Sequence, residues 1–456
     1  NVNISKLKAQ LKAIAYQFNG PIWFSPDEQY HILKSVFNHG INNTPLAIIE
    51  AGCEEDICLA IHFANTHNLP ISVKGGGHSN SGSSVVNDGI VLDMSAFKSI
   101  ALAEDRQSVR LGAGVRNMEL DAYTTQYGLA VPLGTCPDVG VIGATLGGGI
   151  GFLSRKFGLT CDSLINVTMI DVQGIKQTID KFSEPALFWA LSGGGGCQFG
   201  VITEITLQLY PVPSTVIGGF IEWPLSEASK VLKHYSDEVL SNTRDYFVYA
   251  YISRTAKGQE KVSIMAFSTA SKSDCEVFFK RISQWGLGPK MDVSEKSYLE
   301  MQSNTYQSEL CVYWRNGFVS QDLPAQFIDE VISCYINSPD DYCGIMFDPL
   351  GGAIQDRASQ DSAFVHRKSS FICSVTGISG GTKIDPIIER WVDDSHTTLS
   401  AFYNDQAYQN YEFLGPDELK RYFGKNTSKL LTLKKRYDPQ CRFYGSLSRH
   451  ILKTEM

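Results

Sequence analysis

The spacing of apolar residues predicts alternating helices and short strands in the first two hundred positions. Apolar residues recur every three or four positions over 7–18 and over 57–64, which is the period of one buried helix face. Short apolar runs predict strands, and a further helical pattern covers 117–127. The predicted strands are 45–50, 71–74, 90–94, 108–112, 165–172 and 201–209. The first two strands and the helix between them predict a strand–helix–strand unit, a plausible start for a nucleotide-binding domain.

The pattern changes after Pro211 and Pro213, where we place a domain boundary. Strands are predicted over 216–222, 246–252 and 261–267, and they alternate with amphipathic helices over 231–239 and 273–285. Strands with intervening helices and no glycine-rich turn predict an α+β domain with a broad sheet. Around Ser400 the chain becomes aromatic and helical again.

Two glycine-rich segments each carry one nucleophilic side chain. Lys-Gly-Gly-Gly-His-Ser at 74–79 follows a predicted strand directly, and Gly-Thr-Cys-Pro-Asp-Val-Gly occupies 134–140. Adjacent glycines tolerate positive φ and expose N–H groups that can point at a phosphate. No helix is predicted directly after the three glycines, so the segment is not a Rossmann fingerprint. His78 and Cys136 therefore suggest a cofactor that is held by covalent bonds as well as by contacts.

Composition narrows the function classes. The chain has 456 residues, of which 43% are hydrophobic and 19% charged, as in ordinary globular proteins. A net charge of −8 provides no basic field for nucleic acid, and no apolar run approaches the roughly 18 residues of a membrane span. Eleven cysteines include no Cys-x-x-Cys pair, so we expect no metal. The compartment stays open, with a secreted or extracytoplasmic location favoured over the cytoplasm.

The glycine-rich segments resemble those of the berberine-bridge-enzyme-like FAD-linked oxidases, within the vanillyl-alcohol oxidase (PCMH-type) superfamily. The family motif Arg/Lys-Gly-Gly-Gly-His-Ser matches 74–79, with Gly82 a turn later, and the family's cysteine loop matches 134–140. The resemblance implies FAD linked to His78 through the flavin 8α carbon and to Cys136 through C6. The alternatives are a turn histidine that is hydrogen-bonded to backbone at 78 and a buried structural cysteine at 136.

Further similarity extends over nearly the whole chain. Matching segments lie at 152–162, 187–202, 350–353, 363–367 and 408–439. Ser192, Cys197 and Cys441 are minor departures from the family pattern. The resemblance implies an α+β fold, with a PCMH-type FAD-binding domain split around a substrate domain that contains a large antiparallel sheet. We expect residues 1–209 and 400–456 to form the FAD domain and residues 210–399 the substrate domain.

The resemblance also identifies residues that would contact the cofactor. Besides His78 and Cys136, they come from the two loops, the glycine-rich segment 143–151, a strand and the C-terminal motif. They are Lys74, Gly75, Gly76, Gly77, Ser79, Gly82, Val139, Gly140, Gly143, Gly147, Gly148, Gly149, Gly151, Val201 and Asn410.

The C-terminal segment Tyr408-Gln-Asn-Tyr411 resembles the family's Tyr-x-Asn-Tyr motif. Oxidation of an alcohol by hydride transfer requires a base for the hydroxyl proton, and a phenol has an unperturbed pKa of about 10. We assign the base to Tyr408, with Tyr411 as the alternative, and both could instead be packing aromatics. A competing register begins at Tyr403, but the spacing to Tyr422 favours Tyr408.

Valine three residues after the linked cysteine is associated in the family with oxygen-reactive members, and this chain has Val139. The expected activity is oxidation of an alcohol or a sugar hemiacetal by a monomeric or weakly dimeric oxidase that produces hydrogen peroxide. The alternatives are oxidative tailoring or cyclisation in secondary metabolism, a dehydrogenase that uses another acceptor, and a non-enzymatic binder that retains the fold.

Overall fold

The first sheet has four mainly parallel strands, and its edge strand at 71–74 leads directly into the loop with three glycines. The structure is a computed structural model that describes residues 2–254, 258–303, 310–339, 342–413 and 418–455. The sheet has the order β1-β2-β4-β3, and only β1 is antiparallel to its neighbour. Its strands are β1 (Ile22–Trp23), β2 (Ala47–Glu50), β3 (Ile71–Lys74) and β4 (Ile90–Asp93). All four residues of β4 are buried, as expected for a central strand that is covered on both faces.

A five-stranded antiparallel sheet follows, with the order β5-β6-β10-β8-β9. A small pair, β7 with β11, lies beside it. The strands are β5 (Ile100–Leu102), β6 (Ser108–Gly112), β7 (Leu129–Ala130), β8 (Leu164–Ile170), β9 (Lys176–Ile179), β10 (Val201–Gln208) and β11 (Tyr210–Pro211). Three of these strands, β6, β8 and β10, lie within two residues of the predicted runs.

A seven-stranded antiparallel sheet occupies the middle of the chain, with the order β15-β12-β14-β13-β17-β18-β16. Its strands are β12 (Val216–Pro224), β13 (Tyr246–Arg254), β14 (Glu260–Ser268), β15 (Lys290–Lys296), β16 (Leu310–Val319), β17 (Gly344–Pro349) and β18 (Phe371–Gly380). Side chains alternate between its faces: Phe371 and Cys373 pack with the helices of this region, while Ile372 packs toward the first half of the chain. The predicted α+β fold with a large antiparallel sheet is confirmed.

Helices cover the sheets and join them. They are α1 (Val2–Ala13), α2 (Glu28–Lys34), α3 (Glu54–His67), α4 (Asn117–Thr124), α5 (Val141–Gly147), α6 (Ser154–Phe157), α7 (Pro185–Leu191), α8 (Ala228–Ser241), α9 (Lys272–Ser283), α10 (Tyr298–Gln302), α11 (Ala325–Ile336), α12 (Pro386–Leu399), α13 (Leu419–Phe423), α14 (Thr427–Tyr437) and α15 (Ser446–Thr454). No helix in the described ranges combines the length and the apolar character that a membrane crossing requires.

Residues from both ends of the chain share one core. Leu419, Leu430 and Phe443 belong to the same buried cluster as Val141 and Ile205. The helices of the seven-stranded sheet pack into a separate cluster. The division into an FAD domain, made from 1–209 and 400–456, and a substrate domain between them stays a prediction.

A buried lysine ties the C-terminal helices to the glycine run at 193–196. Lys434 Nζ donates to the carbonyl of Gln198 at 2.6 Å, to Asp438 Oδ2 at 2.6 Å and to the carbonyl of Phe443 at 3.1 Å. Both charged side chains are fully buried. Because the amides of Arg442 and Phe443 also donate to Asp438, the ion pair has enough hydrogen bonds to offset its desolvation.

Lys434→Met is expected to lower the free energy of unfolding by about 3–5 kcal/mol, because it leaves the Asp438 carboxylate buried without its cation. Chemical denaturation followed by tryptophan fluorescence measures the change. Lys435→Met, on the exposed side of the same helix, is the matched control and should change the value by less than about 0.5 kcal/mol. Equal stability of the two variants would contradict the prediction.

Candidate functional site

The loops that carry His78 and Cys136 meet through a main-chain contact between two glycines. A Cβ added at Gly76 would lie 2.4 Å from the amide nitrogen of Gly140, and one added at Gly140 would lie 2.8 Å from the amide nitrogen of Gly76. Real Cβ atoms essentially never come this close to backbone. The contact therefore requires glycine at both positions, and it brings the two predicted nucleophiles to one region.

Arg116 closes this contact. Its Nη1 donates to the carbonyl of Gly76 at 3.3 Å and to the carbonyl of Asp138 at 2.5 Å, so one guanidinium binds both loops. Its backbone also forms a β-bridge with Gly140. The sequence analysis missed Arg116, which lies just before α4 and 18 residues before the cysteine loop begins.

His78 is held as a neutral imidazole. Its ring is stacked on Phe37, with the ring centroids 4.4 Å apart, and the amide of Phe37 donates to the carbonyl of Gly77. Burial lowers the pKa of His78 to about 4, and the positive charge of Arg116 acts in the same direction. At neutral pH the ring therefore keeps a nitrogen lone pair, as a nucleophile requires.

Lys74 has a structural partner. Its ammonium donates to the carbonyls of Leu33 at 2.6 Å and Ser35 at 3.1 Å, and burial lowers its pKa. The side chain thus secures the segment after α2. Direct contact of Lys74 with a cofactor stays a prediction, while the backbone that follows it forms the loop.

Hydroxyl groups collect on the outer part of this loop. Ser81 Oγ lies 3.1 Å from Ser79 Oγ and 2.7 Å from Ser83 Oγ, and Gly82 between them has φ of +76°. Arg449 Nη2 donates to Ser83 Oγ at 3.5 Å, and its buried Nε has no hydrogen-bond partner among the described residues. A guanidinium beside several hydroxyls is suited to hold a phosphate. No local sequence signal connects Arg449 with residues 366 positions upstream.

The N-terminus of α4 fixes the cysteine loop. Asn117 Nδ2 donates to the carbonyl of Cys136 at 2.9 Å, and its backbone amide donates to the carbonyl of Val139 at 2.9 Å. Cys136 and Val139 are both partly exposed. All eleven cysteines lie in described residues, and none of them forms a disulfide.

The glycines of 143–151 divide into two groups. Four of them are required by packing, because an added Cβ would meet Asn410 from Gly147, Phe364 from Gly148, Thr160 from Gly149 and the carbonyl of Leu133 from Gly151. The remaining one, Gly143 in α5, is exposed, and an added Cβ would find no atom of the described protein within 4 Å.

Contact of the first four glycines with a cofactor stays a prediction, and so does that of Val201. Val201 is fully buried in β10, where it pairs with Ile170. Gly143 borders open space and therefore suits a bound group.

The two tyrosines of the C-terminal motif face different surroundings. The Tyr408 hydroxyl oxygen accepts hydrogen bonds from the amide of Gly149 at 2.8 Å and from Asn410 Nδ2 at 2.8 Å. Tyr408 is 2% exposed, and burial raises its pKa above the usual value. Tyr403, the start of the competing register, instead packs against Gly317 and the helices behind the seven-stranded sheet.

Tyr411 forms a pair with a buried carboxyl. Its hydroxyl donates to Asp348 Oδ2 at 2.8 Å, while Asp348 Oδ1 has no partner among the described residues. Burial raises the pKa of Asp348 to about 7 and raises that of Tyr411 well above 10. The Tyr411 ring is partly exposed and is stacked on Trp314, with centroids 4.7 Å apart. Sequence reasoning missed Asp348, although an acid within the apolar run of β17 was a possible signal.

Hydrogen bonds to residues of strand β16 connect the segment of Tyr408 and Tyr411 to the loop that carries His78. Asn316 binds the Tyr408 main chain with both ends of its amide, at 2.7 Å and 3.0 Å. Asn38 binds Val312 in the same two-ended way and also donates to the carbonyl of Asn80. Asn80 Nδ2 in turn reaches the carbonyl of Tyr411 at 3.4 Å. The predicted residues His78, Cys136 and Tyr411 therefore belong to one connected region.

No group of three or more metal-ligating side chains occurs in the part of the chain that the structure describes. The region offers instead a neutral imidazole, a partly exposed thiol, loop amides and a phenol–carboxyl pair. These groups suit an organic cofactor and proton transfer.

Comparisons with known proteins agree with this chemistry. A family model for an FAD binding domain matches residues 45–179, and one for berberine and berberine-like proteins matches residues 407–448. An FAD-linked oxidoreductase of Dictyostelium discoideum is 30% identical over 407 residues, which is 88% of each chain.

Two solved structures share the fold. Physcomitrella patens BBE-like 1 has a TM-score of 0.89 at 22% identity, covering 96% of this chain and 98% of that one. A glucooligosaccharide oxidase of Acremonium strictum has a TM-score of 0.85 at 21% identity, covering 98% of both chains. The chain thus belongs to the berberine-bridge-enzyme-like family of FAD-linked oxidoreductases.

Proposed function

We propose that this FAD-linked oxidoreductase oxidises an alcohol, with a sugar hemiacetal as the favoured class, and transfers the electrons to dioxygen to give hydrogen peroxide. The observation that carries the proposal is the hydrogen bond between Tyr411 and the buried Asp348, next to the loop of His78. A phenol that can pass its proton to a carboxyl supplies the base that alcohol oxidation needs.

The residues present fit FAD. Gly143 borders open space, and the hydroxyls at 79–83 with Arg449 provide donors for a pyrophosphate. His78 and Cys136 stand on loops fixed against each other by Gly76 and Gly140. Bound FAD supplies an acceptor for the hydride of the substrate.

We propose that His78 and Cys136 both bond to the flavin, at the 8α carbon and at C6. Each attachment replaces one N–H or S–H bond and one flavin C–H bond with a new N–C or S–C bond. The two protons and two electrons released each time pass to dioxygen and give hydrogen peroxide. Lowering of the His78 pKa supports the first attachment, because the imidazole is neutral at physiological pH.

Tyr411 is a better candidate for the base than Tyr408, to which the sequence analysis gave preference. The Tyr408 oxygen already accepts two hydrogen bonds and is buried against Gly149. Tyr411 is partly exposed, and its proton points to Asp348. We propose that Tyr411 takes the substrate hydroxyl proton while its own proton moves to Asp348 Oδ2, which must be ionised beforehand.

A neutral, hydroxyl-bearing substrate suits the sheet face beside Tyr411. Trp314 presents an aromatic ring stacked on Tyr411, and its cross-strand neighbour Thr376 is short and uncharged. Ser374, also on this face, has a buried hydroxyl without a partner among the described residues. The similarity to the fold of a glucooligosaccharide oxidase supports a carbohydrate, and Val139 beside Cys136 supports reaction with dioxygen.

Acid denaturation of the purified protein is expected to leave the flavin in the pellet, with flavin mass on the peptides that contain residues 78 and 136. His78→Ala and Cys136→Ser should each leave one link, whereas the double variant should release its FAD. The matched control is Cys53→Ser, which alters a partly exposed thiol far from the loop in sequence and should keep both links. A colourless pellet from the wild-type protein would refute covalent attachment.

Tyr411→Phe is expected to lower kcat/KM by about 10²–10⁴-fold, because it removes the base. Tyr408→Phe should cost less. Peroxide release with a panel of oligosaccharides, polyols and simple alcohols provides the assay. A larger loss with Tyr408→Phe would show that Tyr408 is the base.

The proposed role of Asp348 also predicts a pH dependence. Since Asp348 must be a carboxylate, kcat/KM of the wild type should fall as pH drops below about 7, and Asp348→Asn should remove this inflection.

A further inference from the structure

A side chain from the substrate domain reaches the cysteine loop. Gln302, the last residue of α10, is 2% exposed. Its Nε2 donates to the carbonyl of Gly134 at 3.1 Å and to Asp121 Oδ2 at 3.0 Å. One amide nitrogen thus joins α10, α4 and the loop of Cys136, and both of its hydrogens are used.

Asp121 acts as the anchor of this contact. It is 1% exposed, and its Oδ1 has no partner among the described residues. Burial raises its pKa to about 8, so the carboxyl keeps its proton at neutral pH and accepts the Gln302 hydrogen bond as a neutral group. An asparagine at this position would offer the same acceptor with the same shape.

The hydrogen bonds of Gln302 fix the main chain close to Cys136. Asn117 and Asp121 lie one turn apart on α4, so they project from the same side of the helix. Asn117 holds the carbonyl of Cys136, and Asp121 acts through Gln302 on the carbonyl of Gly134. The chain is therefore fixed both at the cysteine and two residues before it.

Such fixing matters for bond formation, because a displacement of about 1 Å between reacting atoms costs on the order of 10²-fold in rate. The loop of His78 has other supports. Phe37 and Arg116 contact it, and Asn38 links the carbonyl of Asn80 to Val312 of β16. Of the side-chain hydrogen bonds to the 134–136 carbonyls, one comes from α4 and one from the substrate domain.

We propose that Gln302, held by Asp121, is a positioning residue that sets Cys136 for its bond to the flavin. The inference rests on the proposed attachment of FAD to Cys136. It gives the substrate domain a part in building the link at Cys136 through a residue that makes no hydrogen bond to the loop of His78.

The test is the fraction of each peptide that carries flavin in the purified protein. Gln302→Met, which keeps the length of the side chain but removes the amide, should lower the Cys136-linked fraction at least about threefold and leave the His78-linked fraction at the wild-type level. The visible flavin absorption should shift toward that of Cys136→Ser. Asp121→Leu should behave like Gln302→Met, and Asp121→Asn should keep the link.

Glu300→Gln, on the exposed side of α10, is the surface control and should match the wild type. If Gln302→Met is recovered without flavin at His78, Gln302→Leu serves as the second variant, because it also fills the site and has no donor. A wild-type Cys136-linked fraction in these variants, even with a lowered Tm, would overturn the inference alone. Absence of flavin on Cys136 in the wild-type protein would overturn the proposed attachment as well.

Discussion

The contact between Gly76 and Gly140 is the constraint on which the site depends. Two backbones approach there more closely than any Cβ permits, and Arg116 binds carbonyls on both sides of the contact. The loops of His78 and Cys136 are therefore fixed relative to each other by the protein itself. The two covalent bonds proposed for the flavin ring would require such fixing, because the spacing of the two nucleophiles cannot be adjusted after the first bond has formed.

Strand β16 also fixes the position of Tyr411, the proposed base. Asn38 and Asn316 each use both ends of an amide to pair with main chain, as a neighbouring strand would do. Between them, Trp314 supports the ring of Tyr411. The orientation of Tyr411 is thus determined by hydrogen bonds that run from the edge of the large sheet to the loop of His78.

Local signals in the sequence were enough to predict the fold class and to locate the two glycine-rich loops of His78 and Cys136. The strand before the glycines, the helix over 54–67 and the two nucleophiles are all encoded within short windows. Groups brought together across long stretches of chain were not predictable. Asp348, Arg449 and Gln302 act on partners 63, 366 and 168 residues away, and no periodicity connects them. The sequence analysis also did not predict β1, β5, β7, β9, β11, β15, β16 or β17.

Residue type alone also does not reveal which structural partners a residue has. A lysine before a phosphate-type loop suggests a cofactor contact. In the structure, the Lys74 ammonium donates hydrogen bonds to the carbonyls of Leu33 and Ser35. A run of glycines suggests an open cradle, yet Gly147 and Gly151 are needed because Asn410 and the carbonyl of Leu133 occupy the space of a side chain. Both facts become visible only when the neighbours in space are known.

Burial sets the charge of the site and thereby its pH behaviour. It keeps His78 neutral above a pH of about 4, which is well below the range in which Asp348 changes charge. Asp348 is also the carboxyl that touches Tyr411. In the proposed mechanism, a proton taken from the substrate therefore has a nearby acceptor, Asp348, whose pKa lies near neutral pH. The charge of His78 does not change over the same pH range. This separation allows the proposed attachment residue His78 to be altered independently of the proposed proton-transfer residues.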